Sequence, residues 1–241
     1  MNVNQIVRII PTLKVNNRNL NETFYMETLG MKVLLEESAF LSLGDQTGLE
    51  KLVLEEAPSM RSRKVEGRKK LARLLVKVEN PLEIEALLAK TDSIHRLYKG
   101  QNGYAFEIYS PEDDLVLIHA EDDRASLVEV EENPEFQTDL ESISLSKFEI
   151  SMELHLPTDI ESFLEVSEVG TSLDFIPAQG RDLMVENTVT WDLSMLKFLV
   201  NELDIASLRQ KFESTEYFIP KSEKFFLGKD RNNVELWFEE V

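Results

Sequence analysis

The sequence predicts an α+β fold built from two similar βαβββ modules, the second shortened by about one β-hairpin. Three observations lead there. Val7, Ile9, Pro11, Leu13 and Val15 alternate with Arg8, Ile10, Thr12 and Lys14, and Phe148, Ile150, Met152, Leu154 and Leu156 alternate in the same way with Glu149, Ser151, Glu153 and His155. Period-2 alternation marks a strand with one apolar face. The spacing between the halves is 141 for Leu13 and Leu154 and 140 for Gly30 and Gly170, then drops to 122 for Arg73 and Met195 and 118 for Leu117 and Glu235. A loss of about 20 residues after the first helix amounts to one hairpin, which shortens a sheet without altering its topology. Between the halves lies AEDDRASLVEVEENPEFQTDLESIS (120–144), with nine acidic residues, a single arginine and Pro134, the composition of a linker. The expected organisation is a module over 1–121, an acidic linker over 122–146 and a shortened module over 147–241.

In the first half the opening strand gives way at Asn16–Asn17 to a helical pattern that ends at Leu29–Gly30, where glycine suits a left-handed helix cap. Short strands follow at KVLLEE, AFLSLG and EKLVLEEA, then LARLLVKV, a helix opened by Pro81, and the strands YAFEIYS and DLVLIHAE around the turn PEDD. In the second half a helix is expected over 159–168, strands at SLDFIPAQ, LMVENTV and SMLKFLVN, a helix at DIASLRQKF, and closing strands EKFFLG and VELWFEE around KDRNN. The apolar faces place Leu13, Val15, Leu74, Val76, Val116 and Ile118 in the core of the first half, and Leu154, Leu156, Val234, Leu236 and Phe238 in that of the second.

At 42% hydrophobic residues the chain can fill a core, and no apolar run approaches the roughly 18 residues of a membrane span. The start MNVNQIVRII has neither the basic nor the apolar region of a secretory signal, so a cytoplasmic protein is expected. With no cysteine, disulfides, thiolate metal sites and a cysteine nucleophile are excluded. The formal charge of −19 disfavours nucleic acid and anionic membrane as partners. The exception is RSRKVEGRKK (61–70), with six basic residues, which reads as a solvated loop or an anion-binding flap.

A strand ending in Leu13-Lys14-Val15, a polar turn, and a helix carrying Phe24–Tyr25 and Leu29–Gly30 resemble the start of a glyoxalase/bleomycin-resistance module, the vicinal oxygen chelate fold. SPEDDLVL is similar to that family's Asp-Pro-Asp-Gly-Asn turn before its last strand, and GKDRNNVEL resembles it more loosely. Over its full length, including the shortened second module, the chain resembles the CppA family, whose members carry the label of proteinases that degrade the third component of complement. Complement protein is the partner that this resemblance implies.

Enzymes of this fold hold a divalent metal through His and Glu side chains on the first strand, the strand after the central loop and the last strand. In the first half the matching positions are Ile10, Arg73 and Leu117, none of them a metal ligand. The polar residues on that face, Thr12, Lys14, Arg73, Lys77, Glu107 and His119, suit a small anionic ligand or a peptide held by charge-assisted hydrogen bonds, or else form an ordinary hydrated face. No cofactor is expected there. In the second half the positions are Ser151, Met195 and Glu235. Only Glu235 is a ligand type, but Glu153 and His155 share the face of Ser151, so Glu153, His155 and Glu235 are candidate ligands for one divalent metal in an alternative reading as a metal-dependent enzyme. Trp191 and Trp237 are expected to cover core or interface. For proteolysis the chain offers no HExxH pair and no GxSxG elbow. A triad assembled from scattered residues would use His119 with Asp113 or Asp114, or His155 with Glu153.

Overall fold

The computed structural model describes residues 4–58, 60–131, 134–164 and 172–241. Four βα-type units follow one another. The first holds β1 (Ile6–Val15), α1 (Arg18–Thr23) running on through a π turn (Phe24–Thr28), β2 (Lys32–Glu37), β3 (Phe40–Gly44) and β4 (Glu50–Glu56). The second holds β5 (Leu71–Val78), α2 (Pro81–Leu88), β6 (Arg96–Lys99), β7 (Tyr104–Tyr109) and β8 (Leu115–His119), after which a 3-10 turn (Arg124–Ser126) leads to the short β9 (Val128–Glu129). Its described part shows the third unit as β10 (Phe148–Pro157) and β11 (Leu173–Ala178). The fourth has β12 (Leu193–Val200), α3 (Ile205–Lys211), β13 (Phe225–Lys229) and β14 (Glu235–Glu240).

The strands form two seven-stranded sheets, ordered β13-β14-β12-β1-β4-β3-β2 and β11-β10-β5-β8-β7-β6-β9. Each sheet draws on both halves of the chain. Inside the first, β1 pairs antiparallel with β12; inside the second, β5 pairs antiparallel with β10. The shortening is where the spacing puts it. Strand β10 pairs in parallel with β11 as β1 does with β4, and no counterpart of the β2–β3 hairpin separates them among the described residues. In the fourth unit β14 pairs with β12 and β13 as β8 does with β5 and β7, while the counterpart of β6 shrinks to a bridge between Phe218 and Leu227.

Local chemistry sets the element ends. The Asn17 and Asn80 side chains accept from the backbone N–H groups of Leu20 and Leu82, and Asp204 accepts from Ala206 and Ser207, each capping a helix. Gly30 takes φ +67° after the first helix, and a Cβ there would come within 3.2 Å of Leu87 and Leu145. The apolar faces meet as the alternation predicts: Leu13, Val15, Leu74, Val76, Val116, Ile118, Leu154, Val234, Leu236 and Phe238 are all buried in one continuous core with Tyr25, Leu29, Ile84, Leu87 and Leu208 of the helices. Each such side chain is worth about 1.5–3 kcal/mol of burial. Leu156, expected with them, is only half-buried near the end of β10. No helix among the described residues is long and apolar enough to cross a membrane.

The local structure departs from expectation in several places. LMVENTV lies in a run of turns rather than a strand, because its polar groups serve as anchors: Asn187 donates to Ser194 O and Val185 O accepts from the Lys70 ammonium. RLYK is a strand that its short length hides. Of the helix expected over 159–168, residues 159–164 are irregular, and the remainder lies outside the described residues. The basic run 61–70 is solvated at Arg61, Lys64 and Arg68, as expected of a loop, but Arg63 and Lys70 tie it to the connector between the third and fourth units. Arg63 N donates to Val189 O at 2.9 Å, Trp191 N to Arg63 O at 2.9 Å, and the Arg63 guanidinium forks onto Asp182 at 2.6 and 2.7 Å. The indole of Trp191 donates to Ala57 O at 2.6 Å in the same seam. Lys64 pairs with Asp113 and Lys69 with Asp114.

Candidate functional site

The face of each sheet turned away from the core carries a cleft, and the cross-strand register decides which residues meet there. On the first sheet Ser42, Val53, Thr12, Met195 and Glu235 lie side by side on β3, β4, β1, β12 and β14. The next row places Ile10 beside Lys197 and Trp237. Over this floor opens a cleft of about 500 Å³ whose walls include Leu35, Glu37 and Phe40 of the β2–β3 hairpin on one side and Trp237 on the other. Phe225 stacks on the Trp237 ring at 3.8 Å between centroids and holds it in place.

Polar groups are few on this floor. The Ser42 hydroxyl donates to Glu50, and Lys197 pairs with Glu239 at 3.0 Å, which also accepts from the Trp237 indole at 3.1 Å. Lys14, one row further along, is buried and pairs with Glu55 at 3.2 Å. Thr12 is 3% exposed, and its hydroxyl has no hydrogen-bond partner among the described residues.

The second sheet is built differently. Arg73 reaches Glu107 at 2.6 Å and Glu153 at 3.0 Å; Arg124 reaches Glu153 at 3.0 Å and Asp174 at 2.9 Å; and the Tyr98 hydroxyl donates to Glu107 at 3.0 Å. Two guanidinium groups thus alternate with three carboxylates across β11, β10, β5 and β7. Burial opposes the charge of Arg73, but Glu153 and then Glu107 more than offset it, and its pKa is raised. Arg124 comes from the acidic linker and lies over the sheet. Beside it a cleft of about 650 Å³ is lined by Lys77, His119, Ser151 and Asp174, among others. Lys77 is tied to Asp122 at 2.5 Å. His119 Nδ1 accepts from Glu121 N at 3.2 Å, so the neutral ring carries its proton on Nε2. Burial first, then the charges of Arg124 and Lys77, push its pKa down to about 4.

The six candidate ligand-binding residues therefore fall into two places. Thr12 and Lys14 lie on the first sheet, whereas Arg73, Lys77, Glu107 and His119 lie on the second. The candidate metal set separates too. Glu153 and His155 sit on β10 of the second sheet and Glu235 on β14 of the first, because each sheet takes one unit from each half. Glu153 is held between two arginines, and His155 Nδ1 lies 2.7 Å from Lys69 O. Among the described residues no group of three or more His, Asp or Glu side chains is placed to hold a metal ion. The positions where the fold would carry ligands are Ile10, Met195 and Glu235 in the first cleft, and Arg73, Leu117 and Ser151 in the second. One carboxylate among six does not fit a divalent metal.

The triad partners are engaged elsewhere. Asp113 pairs with Lys64, Asp114 accepts from Ser110 and pairs with Lys69, and the His95 ring packs at a tilt against Tyr109, 4.8 Å between centroids. Among the described residues no histidine ring is bonded to a serine hydroxyl. Sequence reasoning missed Glu37, Glu50, Lys197, Tyr98, Arg124 and Asp174. Of these only Arg124 left a signal, as the lone cation of the acidic linker.

Residues 8–130 match the family model described as CppA N-terminal, and residues 145–238 match CppA C-terminal. The crystal structure of a cppA protein from Streptococcus pneumoniae is similar at 89% identity over 100% of both chains, with a TM-score of 0.96. A protein from Bacillus subtilis named as a dioxygenase is 13% identical, covering 98% of this chain and 86% of its own, with a TM-score of 0.60. Glyoxalase I from Zea mays is 11% identical, covering 97% of this chain and 92% of its own, with a TM-score of 0.56. At such identities these two likenesses show the fold alone. No curated protein matches the chain.

Proposed function

The chain belongs to the CppA family, and from that premise we propose that it is a metal-free binding protein that takes a small organic ligand in the cleft of the first sheet. The observation that carries this reading is the floor of that cleft. At the positions where the glyoxalase-like scaffold would aim metal ligands, this chain presents Ile10, Met195 and Glu235, and Val53 and Thr12 complete a mostly apolar floor. An apolar floor with one or two polar fixing points suits a ligand site, because burial supplies affinity and the polar group supplies orientation. The size of the cleft, about 500 Å³, suits a single small molecule. The second cleft supports the reading less well, since Arg73, Lys77 and Arg124 already have carboxylate partners.

The reading does not extend to peptide hydrolysis, which the proteinase label of the family would require. Hydrolysis needs a nucleophile with an adjacent base, and the histidines here are bonded to backbone groups or packed on tyrosine.

Calorimetric titration of the full chain with 4-phenyl-1-butanol tests the cleft. Saturable one-to-one binding is expected, with a dissociation constant on the order of a millimolar or tighter for a ligand of this size. Met195→Phe should fill the floor and weaken binding at least about tenfold, a loss of about 1.4 kcal/mol. Absence of binding, or binding untouched by Met195→Phe in a folded variant, overturns the reading.

A further inference from the structure

The sign of the charges around the first cleft narrows its ligand further, and this step rests on the binding reading above. Three carboxylates border the floor. Glu37 stands exposed at the mouth, Glu50 sits half-buried at the edge, and Glu235 lies next to Met195 in the same cross-strand row. Among the described residues no cation pairs with any of them, and the one hydrogen bond to Glu50 comes from the neutral Ser42 hydroxyl. Lys197, the basic residue in the lining, is neutralised by Glu239. Lys14 in the adjoining row is neutralised by Glu55. The cleft thus has a surplus of negative charge that the protein does not balance from within.

Such an arrangement disfavours an anion, which would meet repulsion from every side and find each ammonium already engaged. It suits a cation. A positively charged head would donate charge-assisted hydrogen bonds to Glu50 or Glu37, and the Thr12 hydroxyl on the floor of the cleft is a further acceptor. The aromatic wall serves the same end. Trp237, backed by Phe225, and Phe40 opposite it present rings to the cleft, and aromatic faces attract cations while covering an apolar body. The charge of −19 on the whole chain adds a long-range field that concentrates cations at the surface.

We infer that the first-sheet cleft binds a small organic cation: an apolar or aromatic body bearing an ammonium or guanidinium group, with its head toward Glu50 and Thr12 and its body along Ile10, Met195 and Trp237. The ligand is a free small molecule, because the floor is one compact patch between two walls.

Three nearly isosteric probes separate the charge from the cleft. The full chain is titrated at pH 7 with 4-phenylbutylamine, 4-phenyl-1-butanol and 4-phenylbutyrate. The amine should bind at least about tenfold tighter than the alcohol, and the carboxylate more weakly than both. The advantage of the amine over the alcohol should shrink as sodium chloride is raised, and it should shrink in Glu50→Gln and again in Glu37→Gln. Glu37 is exposed, so its variant is expected to fold even if Glu50→Gln does not. Equal affinities, or preference for the carboxylate, overturn the inferred charge while leaving the cleft as a binding site. No binding by any of the three removes the cleft itself, and the inference with it.

Discussion

Arg124 Nη1 lies 3.0 Å from Glu153 Oε1, joining the acidic linker to the first strand of the second half. Its other terminal nitrogen takes Asp174, and Glu153 is shared with Arg73. The charges on this sheet face therefore form a chain, and removing one link leaves the next without a counter-charge.

The most damaging link to break is Arg73. Glu107 is only 3% exposed and depends on that guanidinium and the Tyr98 hydroxyl. Arg73→Ala would leave a buried carboxylate unpaired, at a cost of about 3 kcal/mol. Glu107→Gln added to Arg73→Ala should recover part of it, since the amide carries no charge. Urea unfolding of the two singles and the double gives the coupling directly. Equal stability of Arg73→Ala and wild type would mean that the network contributes nothing.

His119 makes stability depend on mildly acidic pH. Its folded pKa is about 4, against 6.5 for a histidine exposed to solvent. The unfolded chain binds the extra proton across that interval, so the contribution is fully present above 6.5 and is lost as pH falls to about 4. Over the whole window it amounts to about 3 kcal/mol. In His119→Gln the unfolding free energy should fall less steeply between pH 6.5 and 4 than in wild type. An unchanged slope would show that the ring is already charged in the folded protein.

Lys70 acts in the alkaline range. It is 1% exposed, donates to Val185 O at 2.8 Å, and burial lowers its pKa to about 8 from 10.5. Between those values the unfolded chain holds a proton that the folded chain has released, so stability rises as pH increases from 8 to 10.5. Lys70→Met should abolish that rise. Thermal unfolding at pH 8 and pH 10 reads it; a wild-type protein that gains nothing over this interval would contradict the buried, neutralised amine.

The contrast between Leu13 and Lys14 shows what could be read before the fold was known. Alternation assigned one to the core and the other to the opposite face, and ten of the eleven positions it assigned to the core are buried, because a pleated strand imposes period 2 whatever its partners. Leu156 departs from the rule because β10 is near its end there. The partner of a strand is a different matter. Nothing in Leu13 or Met195 says that β1 will lie beside β12, since pairing depends on how four units pack together. For that reason Glu153 and Glu235, both in the second half of the chain, sit on separate sheets. Glu37 and Glu50 were illegible for the same cause: each belongs to a site only through strands far away in the chain.

That cross-pairing makes the halves interdependent. In a fragment covering residues 1–130, β1 would keep β4 and lose β12, and β5 would keep β8 and lose β10. Two strands that lie inside their sheets would become open edges, of ten and eight residues. Long unpaired edges with apolar faces associate with one another. The fragment should therefore elute as dimers or larger species in size-exclusion chromatography. Co-expression with residues 145–241 should return a single species of the full-length size, because β12 and β10 supply the missing ladders. A monomeric fragment 1–130 that unfolds cooperatively on its own would show instead that each half holds its fold without the other.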